Sequence, residues 1–369
     1  MRRVLPPILL GASLGAVVFV IASRPHRAPA MAATATKVAP KTKHRVRPVV
    51  PIALAAVGDM TFGTAGVTPS GGAAALLAGV PRSLRSDLTL GNLETTLGSG
   101  GSSRCLAGST QCYSFQAPVS TALALKRAGF GAVNLANNHS DDYGRSGQAQ
   151  TGAALRAARL PYTGRPGQTT YVTHGAVKVA LLGFAPYDYD DDLLDVAGAV
   201  ARVRRAAARA DLVVVLIHAG AEGAEHQHVR LGMETYLGER RGDAIRFAHA
   251  VVSAGADLVL GSGPHVLRAM EWYRGRLIAY SLGNFTGYHT LGIAGPTAVS
   301  AILRVTLGSD GSFAGGTLIP VRLVGEGTPT LDRGRTALRT LNGLARVDFP
   351  TTGVRLTRTG RLQPQKPRT

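Results

Sequence analysis

Residues Ala250–Tyr288 read AVVSAGADLVLGSGPHVLRAMEWYRGRLIAYSLGNFTGY. Two apolar runs lie inside this stretch. Ala256–Leu260 ends in Gly-Ser-Gly-Pro-His, and Arg276–Leu282 ends in Gly-Asn-Phe. Short runs rich in Leu, Val and Ile and stopped by Gly or Pro predict buried strands that turn sharply at their ends. Each end delivers one polar side chain, His265 and Asn284. α/β proteins build sites in this way, with rigid strands carrying a few polar groups to one edge of a sheet. The stretch therefore predicts an α/β fold, and the test is whether other strands end alike.

Four more do. Ile52–Val57 (IALAAV) runs into Gly58-Asp59, and Asp87–Leu90 runs into Gly91-Asn92-Leu93-Glu94. Ala132–Leu135 leads to Ala136-Asn137-Asn138-His139-Ser140-Asp141-Asp142, where Asn138 offers a carbonyl ligand and His139 a ring nitrogen or a proton. Asp211–Ile217 (DLVVVLI) has the composition of a strand buried on both faces, and it ends His218-Ala219-Gly220-Ala221-Glu222. Together the ends supply carboxylate, carboxamide and imidazole groups without thiolate. That set suits one or two Mn, Zn, Fe or Mg ions for hydrolysis, or a pocket for a polar ligand.

The intervening segments fit this scheme. Val119–Ala128 and Asp243–Ala254 predict helices stopped at Gly129 and Gly255. Gly147–Ala158, Ala199–Ala210 and Thr336–Ala345 are further expected helices. Val177–Phe184 with Tyr171–Thr173, and Ala298–Leu307 with Thr317–Leu323, read as hairpins. Pro186–Asp195 (PYDYDDDLLD) lacks the ligand spacing of a calcium loop and reads as a solvated loop. His174, His226, His228 and His249 read as turn, surface or packed residues.

The formal charge of +19 is concentrated at the ends. Residues 1–50 hold nine Lys/Arg and no acid, residues 350–369 hold five and no acid, and the 299 residues between them carry 27 basic and 22 acidic groups. The uncharged Leu5–Ser23 segment after Met1-Arg2-Arg3 reads as a membrane anchor or a signal segment, so 1–23 is one unit. An uncleaved single pass with the folded part outside the cytoplasm is expected, the alternative being secretion after cleavage. Residues 24–50 read as a disordered basic linker, 51–349 as the folded domain and 350–369 as a disordered basic tail. Cys105 and Cys112, in a Gly/Ser-rich loop without zinc-knuckle partners, are expected to pair as a disulfide in an exported chain.

The stretches AAVGDMTFG, GNLETTL, VNLANNHSDDYG, IHAGAE and AGADLVLGSGPHVLRAMEWYRGRLIAYSLGNF occur in one order between about Ala53 and Tyr288. In this the chain resembles the bacterial CapA-type proteins named for poly-γ-glutamate capsule synthesis, with Ala219 where that family usually has Trp. The resemblance implies an αββα sandwich similar to calcineurin-like metallophosphoesterases, here preceded by one N-terminal apolar helix. It implies Asp59, Glu94, Asn138, His218 and His265 as metal ligands and His139 as the proton donor to a leaving group; in a hydrolase, Glu222 is expected to orient water or substrate. Asn92, Asn284, Arg241 and Arg268 are expected to contact substrate, with Arg240 beside them. The expected partners are an anionic capsule or cell-wall polymer and the membrane, not nucleic acid. Two departures stand out. Thr61 replaces the histidine usual two residues after the first aspartate, and Ser262 and Gly263 precede a lone His265. Two functions remain open: metal-assisted hydrolysis, or polyanion binding in assembly and export by a degenerate site.

Overall fold

The computed structural model describes residues 48–106, 108–109 and 112–364. Leu5–Ser23 and residues 24–47 lie outside the described residues. Among those described, no helix is long and apolar enough to cross a membrane.

Two sheets form the centre. In the first, the strands follow the order Thr328–Leu331, Phe313–Val324, Val299–Gly308, Pro51–Thr61, Leu88–Leu93, Ala132–Asn134 and Tyr162–Thr163. Asn284–Gly287 also pairs with Pro51–Thr61, in parallel. In the second the order is Leu267–Tyr273, Arg276–Leu282, Leu258–Ser262, Leu212–His218, Val177–Phe184 and Thr170–His174. The four inner strands of this second sheet run parallel.

The period-two alternation of each strand sorts its side chains into layers. Ile52, Leu54 and Leu90 from one sheet meet Leu181, Val214, Leu216 and Leu258 from the other in a shared core. On the opposite faces, Val213, Val215 and Val259 pack against Val203, Phe247 and Val251 of the helices Val196–Ala207 and Ala244–Ala254. Ala55, Val57 and Val133 pack against Leu77, Leu125 and Leu155 of Gly72–Leu77, Ser120–Ala128 and Gly144–Ala157. The layers thus run helix, sheet, sheet, helix. The strand Leu212–His218 is apolar throughout because a helix covers one face and the other sheet the second.

Local signals set the helix ends. Asp243 accepts the Arg246 amide at 2.9 Å to cap Ala244–Ala254, and Gly255 closes it at φ 116°. Cys105 and Cys112 are joined by a disulfide. His249 stacks on Tyr273 and meets Glu271 at 2.9 Å, a packed residue.

The reading of 350–369 as a disordered tail is corrected as far as residue 364. Val354–Leu356 and Leu362–Pro364 form an antiparallel hairpin. Val354, Leu356 and Leu362 join the central core, and Asn342 clamps both backbone polar groups of Leu356, at 2.8 and 2.9 Å. Charge content hid the alternation of V-R-L and R-L-Q, in which the apolar side chains face inward and the arginines outward.

Candidate metal centre

Strand register assembles the site. Asp59 lies opposite both Asn92 and Asn284, and Asn92 lies opposite Asn134. In the second sheet His218 lies opposite Ser262. Asp59, Asn92, Asn134, His218 and Ser262 sit at or near the C-terminal ends of parallel strands, where side chains are free to converge, and Asn284 opens the short strand Asn284–Gly287 beside them. The two sheets meet at this edge. His218 Nδ1 is 3.7 Å and His265 Nδ1 3.3 Å from the Asp59 carboxylate. Glu94 Oε1 is 3.8 Å from His218 Nε2 and 3.6 Å from His265 Nε2. Asp59, Glu94 and His218 are fully buried, and one ligand atom from each lies within 4.8 Å of the others.

The surrounding groups fix orientation. Asp59 accepts from Asn92 Nδ2 at 2.8 Å and from the Gly263 amide at 3.0 Å. Asn284 donates through Nδ2 to the carbonyls of Gly292 and Thr297, so its Oδ1 must accept from His265 Nδ1, at 2.9 Å. That assignment leaves His265 Nε2 facing Glu94 and Glu222, each at 3.6 Å. His265 holds a left-handed φ of 59°, a costly backbone for a non-glycine residue and one concentrated at functional positions.

The residues fit a divalent cation. Both oxygens of Glu94 and Oδ1 of Asn138 are buried without a hydrogen-bond partner. A buried carboxylate left unpaired costs several kcal/mol, roughly, unless a cation or a proton meets it. Oxygen and imidazole donors without thiolate suit Mn, Zn, Fe or Mg. Ionisation reflects the same crowding. Burial and the neighbouring Asp59 push Glu94 well above the usual carboxylate range. Burial also raises Asp59, but His218 and His265 outweigh it and hold Asp59 well below that range. Burial draws His218 down to about 4. It acts on His265 too, where Glu94, Glu222 and Asp59 overcome it and push the ring to about 10. A proton on this cluster stands where a cation's charge would otherwise lie.

Positions 61 and 263 add no imidazole to this donor set. Thr61 is turned to the Thr290 hydroxyl and the Thr286 carbonyl, tying its strand to the next loop. Gly263 has φ 107°, and a Cβ there would sit 3.0 Å from the His218 ring and from the Ala219 nitrogen. A histidine at position 263 would be strained by this φ and would press the His218 ring aside by a few tenths of an ångström.

A cleft of about 190 Å³ opens onto these groups. His139, Glu222 and His265 line it, and Tyr113, Phe115 and Tyr236 form its walls. His139 Nδ1 meets Asp142 Oδ2 at 2.8 Å, its ring stacks on Phe115, and Nε2 remains as the atom not bound to Asp142. Burial holds His139 below its ordinary range, against the pull of Asp142. Glu222 is held by Arg241 at 2.7 Å and contacts Asn138 Nδ2 at 3.4 Å. Burial alone would raise Glu222, but His265 and Arg241 leave it below its usual value.

The four side chains expected to contact substrate are engaged by groups of the protein itself. Asn92 donates to Asp59 and accepts from Asn134 and Asn137, so it organises the centre from within. Asn284 orients His265. Arg268 is buried and spent on Glu234, at 2.8 Å from both Nη atoms, and on the Ala221 and His226 carbonyls. Arg241, equally buried, serves Glu222 and lies 3.3 Å from His218 Nε2. Arg240 alone of these arginines is exposed. The segment Leu231–Gly242 carries the hairpin Glu234–Tyr236 and Glu239–Gly242, which delivers Arg241 and Glu234 inward.

Other residues escaped the sequence. The acidic run is no solvated loop: Asp190 is buried and accepts from the Asn137 amide at 2.9 Å and the Ser140 hydroxyl at 3.0 Å, bracing the Asn138-His139 turn. Arg104 pairs with Asp142 at 3.0 Å and donates to the Asn138 carbonyl at 2.6 Å. A carboxylate three residues after His139 was the one available signal for Asp142.

Comparison with known proteins places these residues in a family. The family described as "Bacterial capsule synthesis protein PGA_cap" matches residues 53–288. "Capsule biosynthesis protein CapA" of Bacillus anthracis is 34% identical over 182 residues, which are 45% of this chain and 42% of that protein. "PGA biosynthesis protein CapA" of Bacillus subtilis (strain 168) is 31% identical over 178 residues, 44% of this chain and 43% of that one. The match thus spans under half the length of these curated relatives. Among solved structures, a 5′-nucleotidase precursor from Thermus thermophilus superposes with a TM-score of 0.43 at 15% identity, covering 82% of this chain and 60% of that one.

Proposed function

The chain belongs to the bacterial capsule synthesis protein family, and from that membership we propose that it serves the synthesis of an anionic capsule polymer such as poly-γ-glutamate through a metal-assisted hydrolytic step. The observation that carries this reading is the buried cluster Asp59, Glu94, His218 and His265, whose Glu94 oxygens and neighbouring Asn138 Oδ1 lack hydrogen-bond partners and whose His265 lines an open cleft. Those five residues would hold one divalent ion. When bound, the ion would supply Lewis acidity to polarise a phosphoester or amide and lower the pKa of an attacking water.

The chain's own residues do the rest. His139 Nε2 takes up a proton and returns it to the leaving group, while Asp142 and the Phe115 ring fix the imidazole. Glu222, fixed by Arg241, receives a hydrogen bond from water or substrate beside His265. The aromatic walls exclude water from one side and accept the apolar part of a repeating unit. We place the domain outside the cytoplasm, a reading supported by the Cys105–Cys112 disulfide and the apolar Leu5–Ser23 segment. The alternative, polymer binding without cleavage, is favoured by one observation: Thr61 and Gly263 stand where two further imidazoles would complete a dinuclear site.

The deciding experiment is elemental analysis of the purified protein beside Asp59→Asn and His265→Ala variants, with turnover measured on a phosphoester and on a glutamyl polymer. About one transition metal per chain, lost with turnover in both variants, supports hydrolysis. Absence of metal after Mn²⁺ and Zn²⁺ loading overturns it.

A further inference from the structure

Beyond the family match, residues 332–364 contain seven arginines and two acids, Asp332, whose side chain is bonded to the Gly334 and Thr336 amides, and Asp348. Asp348 is already committed, to His228 at 2.6 Å and to the Val229 amide at 3.1 Å. Arg335 and Arg339 stand on the first turns of the helix Thr336–Asp348 or just before it, and Arg358 follows the strand Val354–Leu356. These three line a cleft of about 220 Å³ between helix and hairpin, with Asn342 and Thr357 between them. Arg355 and Arg361 flank it on the hairpin, and all five arginines are exposed.

Two features set this cluster apart from ordinary surface charge. Among the described residues, arginine–carboxylate pairs involve Arg104, Arg165, Arg202, Arg241, Arg268 and Arg276, and none of the five. Arg335 and Arg339 instead rest on carbonyls, those of Arg358 and Gly334, which hold the guanidinium groups in place without neutralising them. Arg335 also has a left-handed φ of 54°, a conformation usually left to Gly or Asn. Like charges gathered without counterions repel one another. Asp332 accepts the Thr336 amide at 2.7 Å, so the helix N-terminus is already capped and the arginine side chains carry the field.

We propose that this helix–hairpin face is a docking surface for a polycarboxylate chain, separate from the metal centre. Guanidinium groups take carboxylates in bidentate fashion, and a flexible polyanion gains from several such contacts in series. The cleft admits one acidic side group, and Arg355 and Arg361 continue the track. The proposal rests on the capsule-polymer reading for the identity of the partner. Its test measures binding and not turnover, so an inactive metal centre would not register as its failure.

The experiment compares the full chain with R335Q/R339Q/R358Q for binding to fluorescent polyglutamate between 50 and 300 mM salt. A control, R127Q/R145Q/R159Q, removes the same charge from three exposed arginines elsewhere. Each lost arginine contact removes roughly one released counterion, so the cluster variant should lose at least tenfold in affinity at 50 mM salt and about two to three in the salt slope. The control should lose less than threefold. Equal losses in both variants, or unchanged affinity in the cluster variant, overturn the proposal. So does tighter binding of the wild type to single-stranded DNA of equal charge, or to phosphatidylserine vesicles, than to polyglutamate.

Discussion

Replacing Glu94 by Gln should move stability in opposite directions with and without metal. In the protein free of metal, Glu94 is fully buried, and neither of its oxygens has a hydrogen-bond partner. Burial and Asp59 hold Glu94 well above the usual carboxylate range, so folding without metal must protonate it or bury its charge, a cost of about 1–3 kcal/mol that Gln does not carry. Unfolding entropy of about 2.1 cal/mol/K per residue, over roughly 320 ordered residues, converts this gain to a rise in Tm of roughly 2–4 °C. The wild type in divalent ion at a hundredfold excess over Kd gains about 2.7 kcal/mol, or roughly 4 °C, by mass action. The variant forgoes most of that gain, having lost a charged ligand. The two melting curves should therefore exchange order between chelator and metal. Thermal unfolding of both proteins in EDTA and across a Mn²⁺ and a Zn²⁺ titration reads this directly. A variant that melts below wild type in EDTA and keeps the full metal-induced shift would refute the assignment of Glu94 as an unpaired ligand.

Other outcomes follow from single contacts. His139→Ala should keep its metal by elemental analysis and lose about 10²–10⁴ in turnover; unchanged turnover would remove His139 from proton transfer. Asp190→Ala strands the Asn137 amide and the Ser140 hydroxyl, so denaturant unfolding should report a loss of roughly 1–3 kcal/mol, and a neutral result would mean the acidic loop does not brace the turn. Opening the Cys105–Cys112 ring, with its sequence separation of 7, should cost about 2 kcal/mol on reduction, measured against the C105S/C112S protein, which should not respond to reductant. Asp332 is held below the usual carboxylate range, by backbone bonds from Thr336 and Gly334 that outweigh its slight burial. Its stabilisation is thus complete above the ordinary carboxylate pKa and fades as pH falls through the lowered folded value. D332N keeps a side-chain acceptor for the helix amide and should change stability little at pH 7, while showing a flatter acid limb in the stability–pH profile.

The strands, the capped helices and the polar groups at strand ends are written in short segments of the chain. IALAAV, DLVVVLI and RLIAYSL state their burial in their own composition, and Gly-Asp, Gly-Asn and Gly-Pro-His state where each one stops. These features depend on neighbours a few residues away, so the sequence alone determines the α/β class and names Asp59, Glu94, Asn138, His139, His218, Glu222 and His265 as one group. Which polar groups remain unpaired is a different kind of property. Arg241 and Arg268 read as substrate contacts until the hairpin of residues 234–242 turns Arg241 inward onto Glu222 and brings Glu234 to Arg268, and DYDDD reads as solvent-facing until Asp190 finds the amide of Asn137, 53 positions away in the chain. The arginine-rich end reads as a disordered tail until Val354, Leu356 and Leu362 reach the core. Burial and pairing of a charge are set by long-range partners, and only the tertiary structure decides which charges are neutralised and which, like the arginines beside Thr357, are left to meet something else.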